Sequence, residues 1–326
     1  MSRPLVMAAV ALASYAVLSS LGSLIVMLLW RAGIIDATSS VPAIRARRLV
    51  LLRSLPVAAA VTLVAGLVMP AFLFFEPAHA SEAVGPALWI LALLGSLLLA
   101  SGLAHAAGSA FATWRIERQW LRSAMPLEFN PPAGVPAYAV DSFTPVVALV
   151  GVLAPKLMAA QSLIDVCDPH ELANIVAHEQ GHLRARDNLK RWLMACAPDL
   201  LRWTPEHHAI TVAWDDAAED AADDAATAGH EVARVDLAAL LVKVARLSAG
   251  SGWTAATVSP FIQADRLDRR VRRLLSSQRS PDSSRSAAVL PLVGASLGCL
   301  VLTTLNSPSA LKTVHQIVEA VVAFGR

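Results

Sequence analysis

Charge is scarce in this chain of 326 residues: 16% are Asp, Glu, Lys or Arg, while 56% are hydrophobic. An ordinary soluble domain is about one quarter charged, so the balance excludes that class and points to a membrane protein with a polar part. A large charge of one sign is also missing. The net charge of +2 gives no footprint for direct nucleic-acid binding. Only three cysteines are present, Cys167, Cys196 and Cys299, with no CxxC spacing. Their odd number excludes a disulfide framework, and they read as small buried hydrophobes. No internal repeat is visible. The apolar runs hold almost no ionisable side chain apart from His105, which argues against a transport pathway.

Long apolar runs are what the chain has instead. Residues 5–30, 54–75, 87–110 and 287–305 are each about one bilayer crossing in length. The first is too long for a cleavable signal peptide, and Arg31 rather than small residues follows it, so it reads as a retained span. Arg31, Arg45, Arg47, Arg48 and Arg53 follow the first run, and Arg115, Arg118 and Arg122 follow the third. The positive-inside rule places both stretches in the cytoplasm and both termini outside. The expected organisation is three spans over 1–111, a cytoplasmic domain over 112–286, a fourth span over 287–305 and a short amphipathic tail over 306–326. That tail is expected on the outer membrane face or packed against the spans.

Within the polar part, His178-Glu179-Gln180-Gly181-His182 stands out. Positions four apart share one helix face, so both imidazoles can reach one metal ion, with Glu179 beside them as a general base. This is the His-Glu-x-x-His arrangement of zinc peptidases. Asp168 as cap, Pro169 at the first helical position and Glu171 closing a capping box predict a helix from 169 to about 197, ended by Pro198. The apolar stretch 189–203 is too short to span and is expected against the membrane or a span. Helices are also predicted over about 206–228 and 231–248, and a basic one from Arg266 to Leu275. Residues 137–153 read as two strands forming a hairpin.

A catalytic zinc site needs a third protein ligand and one open position. Glu219, in the acidic helix 206–228, is the best source, and Asp223 one turn on can accept a hydrogen bond from a ligating histidine. Asp215, Asp220 and Asp224 read as a solvated acidic face. His207 and His208 are rival ligands, but adjacent side chains diverge on a helix. His230, Arg234 and Arg270 are candidates by type for stabilising an oxyanion, each more readily explained by packing or surface exposure.

These residues carry a resemblance. The run from Asp168-Pro169-His170-Glu171-Leu172 through His178-Glu179-Gln180-Gly181-His182 to Arg186-Asp187-Asn188, followed by Glu219-Asp220-Ala221-Ala222-Asp223, resembles the antirepressor-type membrane metallopeptidases, which include the β-lactam sensor-transducers. It is also similar to the CAAX-processing and heat-shock membrane proteases. The resemblance implies a mainly α fold: four transmembrane helices and a cytoplasmic gluzincin-type zinc domain, with helices and a small β-hairpin or sheet, between spans three and four. It implies one zinc ion on His178, His182 and Glu219, with Glu179 as catalytic base and Asp223 behind the ligands. The strand around Val146, Ala148 and Val150 would pair with the backbone of a protein substrate, for example a transcriptional repressor. The implied setting is the lipid bilayer of a bacterial-type inner membrane, and the implied role regulatory proteolysis. Quality control of membrane proteins and a non-catalytic receptor or scaffold on the same fold remain the alternatives. The family's sensor members carry a large outer penicillin-binding domain after the fourth span. Residues 306–326 are too few for one, so a signal is expected by another route.

Overall fold

A computed structural model of the chain describes residues 2–33, 41–76, 85–127, 134–141, 147–250, 264–276, 289–305 and 307–323. Its first part is helical: α1 (Arg3–Arg31), α2 (Pro42–Leu63), a π-helical turn (Val64–Val68), α3 (Met69–Phe75) and α4 (Pro86–Leu121). The stretches Arg3–Arg31, Pro42–Phe75 and Pro86–Leu121 are long and apolar enough to cross a membrane. The arginine-bearing stretch between the first two apolar runs is helical from Pro42, and Arg48 and Arg53 are buried within it. The π turn has a local cause. Pro70 cannot donate to residue 66 and its ring crowds that carbonyl, so the backbone widens by one residue just before it. α1 and α4 pack closely where Gly95 meets α1: a Cβ there would lie 2.2 Å from the Leu12 carbonyl oxygen.

The strands are β1 (Met125–Pro126), β2 (Ala137–Val140), β3 (Val147–Val150) and β4 (Lys156–Ala160), in the sheet order β1-β2-β4-β3. The pairing differs from the expected hairpin. β2 runs parallel to β4, with Ala137 opposite Leu157, and β3 turns back antiparallel onto β4, with Val150 opposite Lys156. Gly151, at φ 110, makes that reversal in a conformation closed to most side chains. β4 therefore takes the centre, where Leu157, Met158, Ala159 and Ala160 are buried, and β3 is an edge strand. Of the expected substrate-pairing stretch, residues 142–146, including Val146, lie outside the described residues.

The second helical part comprises α5 (Gln161–Ile164), α6 (Pro169–Ala185), α7 (Asp187–Cys196), a 3-10 turn (Leu200–Trp203), α8 (Pro205–Thr227), α9 (Glu231–Gly250) and α10 (Ala264–Leu275). The single helix expected over 169–197 is broken at Arg186, which adopts the left-handed conformation at φ 55. α7 and the 3-10 turn, the apolar stretch too short to span, pack on α4, α2 and α1. One core joins Val26 of α1 and Leu49 and Leu52 of α2 to Met194, Leu201, Ile210 and Trp214. A second gathers α5, α9 and α10 around Leu163, Leu237, Leu241 and Leu274.

α11 (Val289–Leu305) and α12 (Pro308–Ala323) complete the described chain. α11, at 17 residues, is shorter than the three spans and packs on α2 and the π turn. α12 packs on α3, α4 and the π turn, with Leu311 buried, so the amphipathic tail lies against the spans. All three cysteines are free; Cys167 is buried as expected, whereas Cys299 is exposed on α11.

Candidate metal centre

The site begins with the start of α6. The Asp168 carboxylate accepts from the Glu171 amide at 2.8 Å, and the Asp168 amide donates to Glu171 Oε2 at 2.9 Å. Both halves of the capping box are thus made, with Pro169 in the first turn, as the sequence predicts. From that start, His178 and His182 fall on one buried face. Their Nε2 atoms face each other at 3.1 Å. α8 brings Glu219 to the same point, with Oε2 3.4 Å from His178 Nε2 and Oε1 3.6 Å from His182 Nε2. Ligands held about 2.0–2.2 Å from a tetrahedral ion lie about 3.3–3.6 Å apart, so the three atoms stand close to the edges of such a tetrahedron.

The far side of each ring explains why the Nε2 atoms are available. His178 Nδ1 lies 3.0 Å from Asp223 Oδ1, and His182 Nδ1 lies 2.9 Å from Asp187 Oδ2. Nδ1–H donation to a carboxylate fixes the tautomer and directs the Nε2 lone pair inward. Two such lone pairs at 3.1 Å repel unless a cation lies between them, so the donor set fits a metal ion of the zinc class. Asp223, expected behind the ligands, lies beside the His178 ring in this structure.

Burial works to lower the His182 pKa, but its hydrogen bonds to Asp187 and Glu219 outweigh this and raise it to about 10. Burial would raise the Glu219 carboxyl; His178, His182 and Arg270 instead hold it well below the carboxylate range. Asp223, opposed in the same way by Arg270 and His178, sits at about 2. Glu179 behaves differently. Burial pushes its carboxyl up, with the two imidazoles pulling the other way, and the Leu149 amide of β3 hydrogen-bonds to it. Asn188 Nδ2 donates to the Leu149 carbonyl at 2.8 Å and to that of Gly151 at 2.9 Å. The edge strand is thereby tied beside Glu179. Leu149 directs its backbone groups to the site, and by strand alternation Val147 shares that side, while Ala148 and Val150 do not.

Two residues of the site, Asp187 and Asn188, were not picked out by residue type and spacing, and a third, Arg270, was named by type for a different role. Asp187 follows His182 by five positions, off the helix face, and reaches it only because Arg186 turns the chain left-handed. Asn188 acts through tertiary contact. Arg270 is a packed residue: it is 2% exposed, bonds Asp223 through two nitrogens at 2.6 and 2.9 Å, and lies 3.0 Å from Glu219 Oε2. The acidic face of α8 is solvated only at Asp224, which is exposed, while Asp215 and Asp220 are largely covered. Asp220 pairs with Arg269 at 2.7 Å, Asp224 with Arg273 at 2.7 Å and Asp215 with Arg191 at 3.1 Å. His207 lies elsewhere, accepting from Arg53 Nε at 2.8 Å, and Arg234 donates to the Arg273 and Ser276 carbonyls. A second group with metal-binding potential, Glu76, His315 and Glu319, also occurs among the described residues.

Three apolar spanning-length helices followed by a helical domain with two histidines and a glutamate converging in it define a membrane protein with a metallopeptidase-like centre. Residues 139–274 match the family described as BlaR1 peptidase M56, in line with the resemblance read from the sequence. The match spans the edge strand, α6, α8 and α10, all the elements that build the site. No curated protein and no solved structure matches the chain.

Proposed function

We propose that the chain is an integral membrane zinc endopeptidase of gluzincin type, acting on a cytoplasmic or membrane-bound protein in regulatory proteolysis, such as removal of a repressor. The observation that carries this reading is the convergence of His178 Nε2, His182 Nε2 and the Glu219 carboxylate within 4.8 Å of one another, with buried Glu179 alongside. His178, His182 and Glu219 would hold one zinc ion. When bound, zinc supplies the Lewis acidity that acidifies a water and polarises a peptide carbonyl. Glu179 would accept a proton from the attacking water and return it to the leaving amine; burial, which pushes its carboxyl up, suits a group that must hold a proton between two steps. Asp223 and Asp187 keep the imidazoles in the ligating tautomer. The substrate backbone aligns along β3 on the side that Leu149 faces, which brings the scissile bond to Glu179.

In this reading the domain is cytoplasmic and the bilayer is a bacterial-type inner membrane. The arginines of α2 and the cluster Arg115, Arg118 and Arg122 lie at the domain ends of their helices, as the positive-inside rule requires. α11 is the fourth span. The test is zinc content with proteolysis on detergent-purified wild type and Glu179→Gln. About one zinc on His178, His182 and Glu219 in both, with cleavage of a casein-type substrate by the wild type alone, is expected. Equal cleavage by both would remove Glu179 from the chemistry, and no zinc in either would remove the site.

A further inference from the structure

A second set of metal-ligating side chains stands at the other end of the spans. Glu76 closes α3, and His315 and Glu319 are one helical turn apart on α12. One ligand atom from each lies within 4.8 Å of the other two. Their helices are in contact along α3 and α12. The ring of His315 rests against Phe75, with centroids 5.9 Å apart, so its orientation is fixed by packing. His315 Nδ1 is buried and has no hydrogen-bond partner among the described residues. A buried imidazole nitrogen left unsatisfied is costly, and the same ring offers a ligand atom to a point shared with two carboxylates, a set that suits a cation. The end of α3 is itself held: Arg3 Nη2 donates to the Leu73 carbonyl at 3.1 Å and the Glu76 carbonyl at 3.2 Å.

We propose that Glu76, His315 and Glu319 form a second divalent-metal site, which staples α12 to the end of α3. One imidazole and two carboxylates suit zinc and the neighbouring first-row divalent ions better than the all-oxygen sets of calcium or magnesium. From Arg53, where α2 meets the peptidase domain, to Glu76 is 23 residues of nearly continuous helix, or about 35 Å at 1.5 Å per residue. The site is thus separate from His178 and His182 and faces the opposite side of the membrane. α12 also packs on the core formed by α1, α3 and α4, through Val318 against Val10, Phe72 and Leu88. An ion bound here therefore fixes α12 on the spans.

The experiment is zinc titration of the full chain in detergent, read by equilibrium dialysis with metal analysis, for wild type, His315→Ala, Glu319→Gln and His178→Ala. Two zinc ions per wild-type chain are expected, the weaker lost or weakened at least tenfold in both His315→Ala and Glu319→Gln and retained in His178→Ala. The zinc-dependent rise in unfolding temperature should shrink in the same two variants, and Glu319→Gln, at a half-exposed position, guards against a folding defect in the other. Unchanged stoichiometry and affinity in both variants would overturn the second site. Loss in those variants with no change in His178→Ala would leave it standing and strike instead at the first.

Discussion

At the scale of the residue, the centre depends on which nitrogen of each imidazole carries the proton. Asp223 and Asp187 hold the two Nδ1 positions at 3.0 and 2.9 Å, and they come from different places in the chain. Asp223 shares α8 with Glu219, so the helix period that brings one brings the other. Asp187 depends on a left-handed residue between two helices. Replacing a carboxylate behind a ligating histidine typically costs 10–100-fold in metal affinity. Asp187→Asn keeps the side-chain shape and the fold but loses the charge, so zinc competition with a chelator should show a loss in that range. Lys190, half-buried and 3.2 Å from Asp187 in the folded chain, loses the charge of its partner as well.

At the scale of the element, α6 and α8 must come close for two histidines and a glutamate to share one point. Gly181, inside the motif, permits this: a Cβ there would lie 3.0 Å from Ala222 Cα and 3.2 Å from its Cβ. A branched side chain cannot be accommodated without separating the helices. Gly181→Val should cost about 1–3 kcal/mol of stability and weaken zinc binding at least tenfold, read by thermal unfolding and metal titration of the same preparation. α10 holds the other face of α8. Asp216, Glu219, Asp220, Asp223 and Asp224 meet Arg266, Arg269, Arg270 and Arg273 in matching helical steps. The acidic run resembles a solvated surface in sequence because its basic partner lies some fifty residues away. The cap of α6 was legible because all of its hydrogen-bonding groups lie within four consecutive residues. The strand order was not, since parallel pairing of β2 with β4 is a contact across the intervening edge strand.

At the scale of the whole molecule, the helix that carries Glu219 is also the one docked on the spans. α8 presents Glu206 to Arg31 at the end of α1, at 2.6 Å, and His207 to Arg53 of α2. Arg53 and Asp199 form an ion pair at 2.7 Å with both side chains fully buried, and Tyr15 of α1 donates to the Pro198 carbonyl at 2.7 Å. Removing one partner of a buried pair leaves an uncompensated charge, so this polar junction is strongly specified. His207 gives it a pH dependence. Burial first, then Arg53 and Arg202, lower its pKa from 6.5 to about 4. The folded state thus binds fewer protons than the unfolded state between those values, and the stability present above pH 6.5 is lost as pH falls through about 4. Unfolding temperatures of the chelator-treated chain should therefore drop more between pH 6.5 and 4 in wild type than in His207→Gln, which keeps an acceptor for Arg53 and does not titrate. Equal drops would place the acid sensitivity elsewhere.

What the amino-acid order determined by itself is local and periodic: four apolar runs, three of which form helices long and apolar enough to cross a membrane, the α6 cap from consecutive residues, and the His178, His182 and Glu219, Asp223 pairs from the helix repeat. What only the tertiary structure decided is whatever joins distant segments. Arg270 against Glu219 and Asp223, Asp187 behind His182, Leu149 beside Glu179, β3 at the sheet edge and α12 against the spans all follow from packing. The physical reason is the same in each case. Helix periodicity and capping are set by neighbours within a few residues, whereas the partner of a buried charge is set by which surfaces the hydrophobic core brings together.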